Sequence, residues 1–109
     1  MPSRRPPAGT LSLRVGSHNV RGLMVPGHFS TCLHLWRELC LDVVVVQEAR
    51  ATFFQVLKLC RQAKAWDYRC IHQLDSAGHL RMLVFYRHAL CRAGRLIVHA
   101  PYNAQGGAQ

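Results

Sequence analysis

Asn19 and Glu48 carry the oxygens through which this chain could do chemistry. Asn19 lies in Ser17-His18-Asn19-Val20-Arg21-Gly22-Leu23, directly after the alternating run Leu11, Leu13, Val15. Glu48 lies in Gln47-Glu48-Ala49-Arg50, directly after the run Val43 to Val46. Each therefore stands just past a segment with strand character. If the two strands are neighbours in one sheet, both side chains emerge at one edge. Ligand sites in α/β sheets lie there, outside the carboxyl ends of the strands. A carboxamide beside a carboxylate is half of a hard-cation site, because Mg²⁺ takes oxygen ligands and keeps several waters. Both residues also have plainer readings. Asn in a loop often bonds its own backbone and tolerates a left-handed conformation, and Glu48 could simply mark a strand's return to solvent.

The elements that must position this pair follow from patterning. Leu11 to Val15 alternates like a strand with one face buried, and Gly16 to Gly22 reads as the loop after it. Pro26-Gly27 is a second breaker. Ser30 is expected to cap a helix running to Leu39, with Cys32, Leu35, Trp36 and Leu39 on its apolar face. Val43 to Val46, β-branched and without alternation, reads as a strand covered on both faces. Thr52 and Gln55 form a capping box for a second helix reaching Lys64, its buried stripe made of Phe53, Leu57 and Cys60. Trp66 to His72 returns to strand period. After the turn Asp75-Ser76-Ala77-Gly78, Leu80 to Tyr86 completes a hairpin. Ala93-Gly94 turns again, and Leu96 to Val98 begins a fifth strand stopped by Pro101. Residues 1–10 read as a flexible basic arm, 11–102 as one α/β domain and 103–109 as a loose tail.

Charge narrows the partners. The 109 residues carry 14 Lys and Arg against 5 acidic residues, a formal +9, and twelve of the fourteen are Arg. Arg matches phosphate in a bidentate way, so a polyanion such as nucleic acid is the expected partner. A solvated basic surface explains the same count. Half of the residues are hydrophobic, which argues against general disorder. Five cysteines without a Cys-x-x-Cys pair make structural zinc unexpected. Cys32, Cys40 and Cys60 read as reduced core thiols. No apolar segment is long enough to span a membrane, and no apolar stretch follows the first arginines as in a secretory signal. The expectation is an intracellular protein, possible nuclear residence included. Trp66 and Tyr68 could stack on a base, but their alternation assigns them to the core first. Arg21 and Arg50 could meet phosphate or stay solvated. His18 reads as packing.

Val15-Gly-Ser-His-Asn19-Val-Arg-Gly-Leu23 and Leu41-Asp-Val-Val-Val-Val-Gln-Glu48-Ala-Arg50 together resemble the opening of the endonuclease/exonuclease/phosphatase superfamily. The wording is closest to the endonuclease domains of non-LTR retrotransposons. Gly78-His79-Leu80-Arg81-Met82-Leu83-Val84 is similar to the family's glycine-led strand. Leu96-Ile97-Val98-His99-Ala100-Pro101 is similar to its strand ending in Tyr or His, a small residue and Pro. The resemblance implies the N-terminal half of a two-sheet α/β sandwich of the deoxyribonuclease I-like type. It also implies Mg²⁺-dependent phosphoester hydrolysis, with Asn19 and Glu48 at the metal and His99 against the scissile phosphate. The family then uses an Asp-x-Asn pair and a terminal Asp-His, and neither follows before Gln109. Meaningful turnover is not expected of this chain alone, because losing part of a catalytic unit commonly costs orders of magnitude. A missing C-terminal half or another chain would complete the site. The rival expectations are a basic, non-catalytic nucleic-acid-binding or degenerate fragment, and a fragment of a small-molecule phosphatase.

Overall fold

The computed structural model describes residues 12–98. Among them the order is β1 (Val15–Asn19), α1 (His28–Glu38), β2 (Val43–Gln47), α2 (Phe53–Lys64), β3 (Tyr68–Leu74), β4 (Leu80–Arg87) and α3 (His88–Arg92). The described residues form an α/β domain around a mixed four-stranded sheet of order β1-β2-β4-β3. The arm, the tail, Leu11, His99 and Pro101 lie outside the described residues.

The pairing of β1 with β2 is parallel and brings Asn19 opposite Gln47. This is the neighbour relation that the paired-oxygen argument needs. The strand itself starts later than its alternation suggests. Leu13 and Val15 are exposed, and Gly16 to Asn19, expected as loop, are strand. Being at the sheet edge, β1 needs only the ladder to β2 and one inward anchor. His18 is that anchor: Trp36 Nε1 donates to its Nδ1 at 2.9 Å.

Core packing is organised by Trp36, which is 1 % exposed. Its ring meets His18, Phe29, Tyr68 and Phe85 at centroid distances of 5.5–6.1 Å. These separations and tilts are the edge-to-face and offset arrangements that aromatic pairs prefer. Tyr68 belongs to the core, as its alternation suggested. Its hydroxyl donates to Leu41 O at 2.7 Å, and burial pushes its pKa up to about 12.

Three helix expectations need correction. α1 begins at His28, capped by Gly27 in a left-handed conformation without any side-chain cap, so Ser30 already lies inside it. Its buried face is Phe29, Cys32, Leu33 and Trp36, while Leu35 and Leu39 are exposed. The capping box of α2 forms as expected, but the buried stripe is Val56, Leu59 and Ala63; Phe53 and Leu57 are turned outward. A further short helix, α3, follows β4 directly. Leu96 to Val98 form no strand; instead Arg95 N–H turns back to Leu90 O.

Both larger helices pack on one face of the sheet, against Val44, Val46, Leu83 and Phe85. The opposite face keeps Val45 37 % exposed, so β2 is not covered on both sides by the described residues. Cys60 is not a reduced core thiol either. It is bonded to Cys70, joining α2 to β3 with Cα atoms 6.0 Å apart, a usual disulfide separation. Such bonds belong to oxidising surroundings, and cysteine usage therefore no longer argues for a reducing compartment. Among the described residues no helix is long and apolar enough to cross a membrane.

Asp67 joins the start of β3 to α3. Its Oδ2 accepts from Ala89 N–H at 3.0 Å and from Arg87 Nε at 3.2 Å. Burial works to raise this carboxyl, but the Ala89 amide and the Arg87 guanidinium outweigh it and hold the pKa below the ordinary value. A depressed carboxylate contributes stability above its unfolded pKa and loses it as pH falls through the folded pKa. In urea titrations the advantage of wild type over Asp67→Asn is therefore expected to be full at neutral pH. It should start to shrink below about pH 4. An advantage that grows on acidification would contradict the assignment.

Candidate cation and phosphate site

The loops that leave β1 and β2 are tied to each other by their backbones. Val20 N–H donates to Gln47 O, Gly22 N–H to Glu48 O at 2.7 Å and Leu23 N–H to Ala49 O. Parallel pairing thus continues past both strand ends and holds the two motifs side by side. Val20, Leu23 and Ala49 point into the core, and this anchors the loops from below. The alternate residues Asn19, Arg21, Glu48 and Arg50 remain exposed. Sequence reasoning placed Asn19 and Glu48 at one sheet edge, and the structure brings them into contact. Asn19 Nδ2 donates to Glu48 Oε2 at 2.7 Å.

The backbone here is unusual. Arg21, Glu48 and Arg50 have φ of 51°, 55° and 51°, and Gly22 has 93°. Left-handed non-glycine residues cost energy and cluster where a structure must aim particular groups. Two further non-glycine residues with positive φ, Cys40 and Asp67, stand just before β2 and β3, away from this edge.

The second Glu48 oxygen, Oε1, accepts from Arg50 Nη2 at 2.8 Å. Asn19 Oδ1 accepts from Arg21 N–H at 3.2 Å. The Asn19 amide lowers the Glu48 pKa most, slight desolvation opposes it, and Arg50 and Arg21 lower it further. Glu48 is consequently an ionised, solvent-facing carboxylate at neutral pH. The pair offers three hard oxygens. Each accepts one hydrogen bond, from Asn19, Arg21 or Arg50, and oxygens are the donor type that Mg²⁺ takes, through one or two carboxylates with water and phosphate in the remaining positions. Among the described residues no group of three or more His, Cys, Asp or Glu is arranged to hold a metal.

Glu48 lines a cleft of about 750 Å³ whose other walls include Arg50, Phe53, His79 and Arg81. Asn19 borders a smaller hollow of about 310 Å³ with His18, Arg21 and His28. His28 is structural, its Nε2 lying 2.8 Å from Val20 O. His18 is likewise tied to Trp36. His99, the expected phosphate contact, lies outside the described residues.

Sequence reasoning missed two features of the cleft. His79 was read only as part of a strand, yet its Nδ1 is 3.7 Å from Asp75 Oδ2 across the β3–β4 turn. Backbone donation from His79, and less from Ala77, lowers the Asp75 pKa and fixes that carboxylate. An Asp four residues before a His around a turn was the available signal. Phe53 was assigned to the core because its stripe is as apolar as the one actually buried. In comparisons with protein-family models, curated proteins and solved structures, the chain finds no significant match.

Proposed function

We propose that the chain carries the cation-binding half of a Mg²⁺-dependent phosphodiesterase site of the endonuclease/exonuclease/phosphatase type, acting on DNA. The observation that carries this reading is the 2.7 Å contact between Asn19 and Glu48 at the ends of adjacent parallel strands. The amide of Asn19 and the carboxylate of Glu48 thus meet at the carboxyl ends of adjacent parallel strands, the kind of sheet edge at which α/β proteins bind ligands. The finer fold, a deoxyribonuclease I-like sandwich, is part of the same proposal, and the open face around Val45 is where its second sheet would pack.

In this reading Glu48 and Asn19 hold the cation, which when bound supplies neutralisation of charge developing on the phosphate. Arg21 and Arg50 flank the pair and give the phosphodiester a positive approach, as does the formal +9 of the chain. His99 would stand against the phosphate. The 109 residues contain no Asp-x-Asn and no Asp-His, so in this reading proton transfer and nucleophile positioning come from groups beyond those named here.

A nicking assay on supercoiled plasmid tests the reading. Slow, Mg²⁺-dependent nicking that is abolished in Glu48→Gln is expected. Equal nicking by both proteins would assign the activity to a contaminant. Binding with a steep salt dependence but no nicking would favour the rival, a non-catalytic basic nucleic-acid-binding protein.

A further inference from the structure

We infer that Phe53 and Phe54 form a stacking platform for an unpaired nucleobase, so that the substrate is a single-stranded or locally opened polynucleotide rather than an intact duplex. The inference deepens the phosphodiesterase reading and rests on it for the position of the phosphate. Phe54 is 75 % exposed and Phe53 38 %. Their rings stand edge to face with centroids 5.7 Å apart, and Phe53 leans on His72 at 5.4 Å. The pair is thus a braced aromatic surface at the start of α2. The capping box of Thr52 and Gln55 fixes that backbone.

The surroundings select the partner. Phe53 lines the same cleft as Glu48, with Arg50, His79 and Arg81 on its walls. A purely apolar partner would desolvate Arg81 without supplying an anion and would bury the Glu48–Arg50 ion pair. A free phosphate would leave the aromatic faces unused. A strand of nucleotides satisfies both, because each unit presents a π-face and an anion at fixed separation. Every base has a π-face, so this contact tolerates any sequence. A base paired in a duplex keeps its faces stacked on its neighbours and would have to be flipped out.

Fluorescence anisotropy in EDTA tests this without any requirement for cleavage. The probes are a labelled oligothymidylate of about 12 nucleotides, within the range of single-strand sites, and a strand of equal length made of abasic units. Wild type should bind the oligothymidylate more tightly than the abasic strand. Phe54→Ala should weaken oligothymidylate binding about 5- to 150-fold, the effect of one stacked base, and leave abasic binding unchanged. Phe54→Tyr should restore it. Because Phe54 projects into solvent, an unchanged melting temperature is expected and excludes unfolding as the cause. Equal binding of both strands, or an unaltered Phe54→Ala, would overturn the platform. So would a duplex that binds as tightly as the single strand. The plasmid assay reports separately on the phosphodiesterase, so either idea can fail alone.

Discussion

Trp36→Ala is expected to remove about 3–5 kcal/mol of folding stability, the usual cost of deleting a buried Trp side chain. A domain of this size has only about 5–15 kcal/mol in total, so the variant should be largely or entirely unfolded at 37 °C. The reason is the position of Trp36 rather than its size alone. Its ring touches aromatic side chains from β1, α1, β3 and β4, and so links the sheet edge to its centre. Alanine would leave a cavity there and also strip His18 of the Nε1–H that it accepts. Trp36→Phe, which keeps most of the packing but not the donor, should recover the larger part. Urea unfolding followed by circular dichroism reads both variants. A Trp36→Ala protein within about 1 kcal/mol of wild type would mean the core is organised elsewhere.

Glu48→Gln is expected to lower nicking at least about a hundredfold while leaving stability within about 0.5 kcal/mol. The two effects separate because Glu48 is exposed and its role is charge. Gln has the same length and can still accept from Asn19, so the loop pairing, which is made by backbone bonds from Val20, Gly22 and Leu23, stays intact. What is lost is the one carboxylate that could neutralise a cation at this edge. The cation that Glu48 would hold supplies several kcal/mol of transition-state charge stabilisation in metal-assisted hydrolysis, which is two or more powers of ten in rate. A stability loss as large as that of Trp36→Ala would instead make Glu48 a structural residue.

Much of the site was legible because its signals were local. Four consecutive valines followed by Gln-Glu mark a strand and its end, and Asn-Val-Arg-Gly marks a turn that needs left-handed residues. Adjacency of the two strands was the remaining condition, and parallel pairing meets it. The errors arose where tertiary contacts chose between locally equal options. On α2 the stripes Phe53, Leu57, Cys60 and Val56, Leu59, Ala63 are neighbours and both apolar. Burial went to the second, while Cys60 turned to β3 and bonded Cys70. On β1 the apolar alternation at Leu11, Leu13 and Val15 was misleading. An edge strand can be held by its neighbour's ladder and one His, with little hydrophobic pattern of its own. α3 is too short for any helical period to show, so nothing in the sequence marks His88 to Arg92 as an element. The open sheet face was illegible for another reason: a run of valines shows that both sides tolerate burial, not that both are covered.

The claim on which the rest depends is that Asn19 and Glu48 act together on a divalent ion. It is tested most directly by titrating Mg²⁺ into ¹⁵N-labelled protein and following the Asn19 side-chain amide. Its Nδ2 donates to the carboxylate, so Mg²⁺ binding should shift the Asn19 side-chain pair and the Gln47 to Arg50 amides together, and Glu48→Gln should abolish the shift. Saturating Mg²⁺ that leaves those resonances in place would contradict the account.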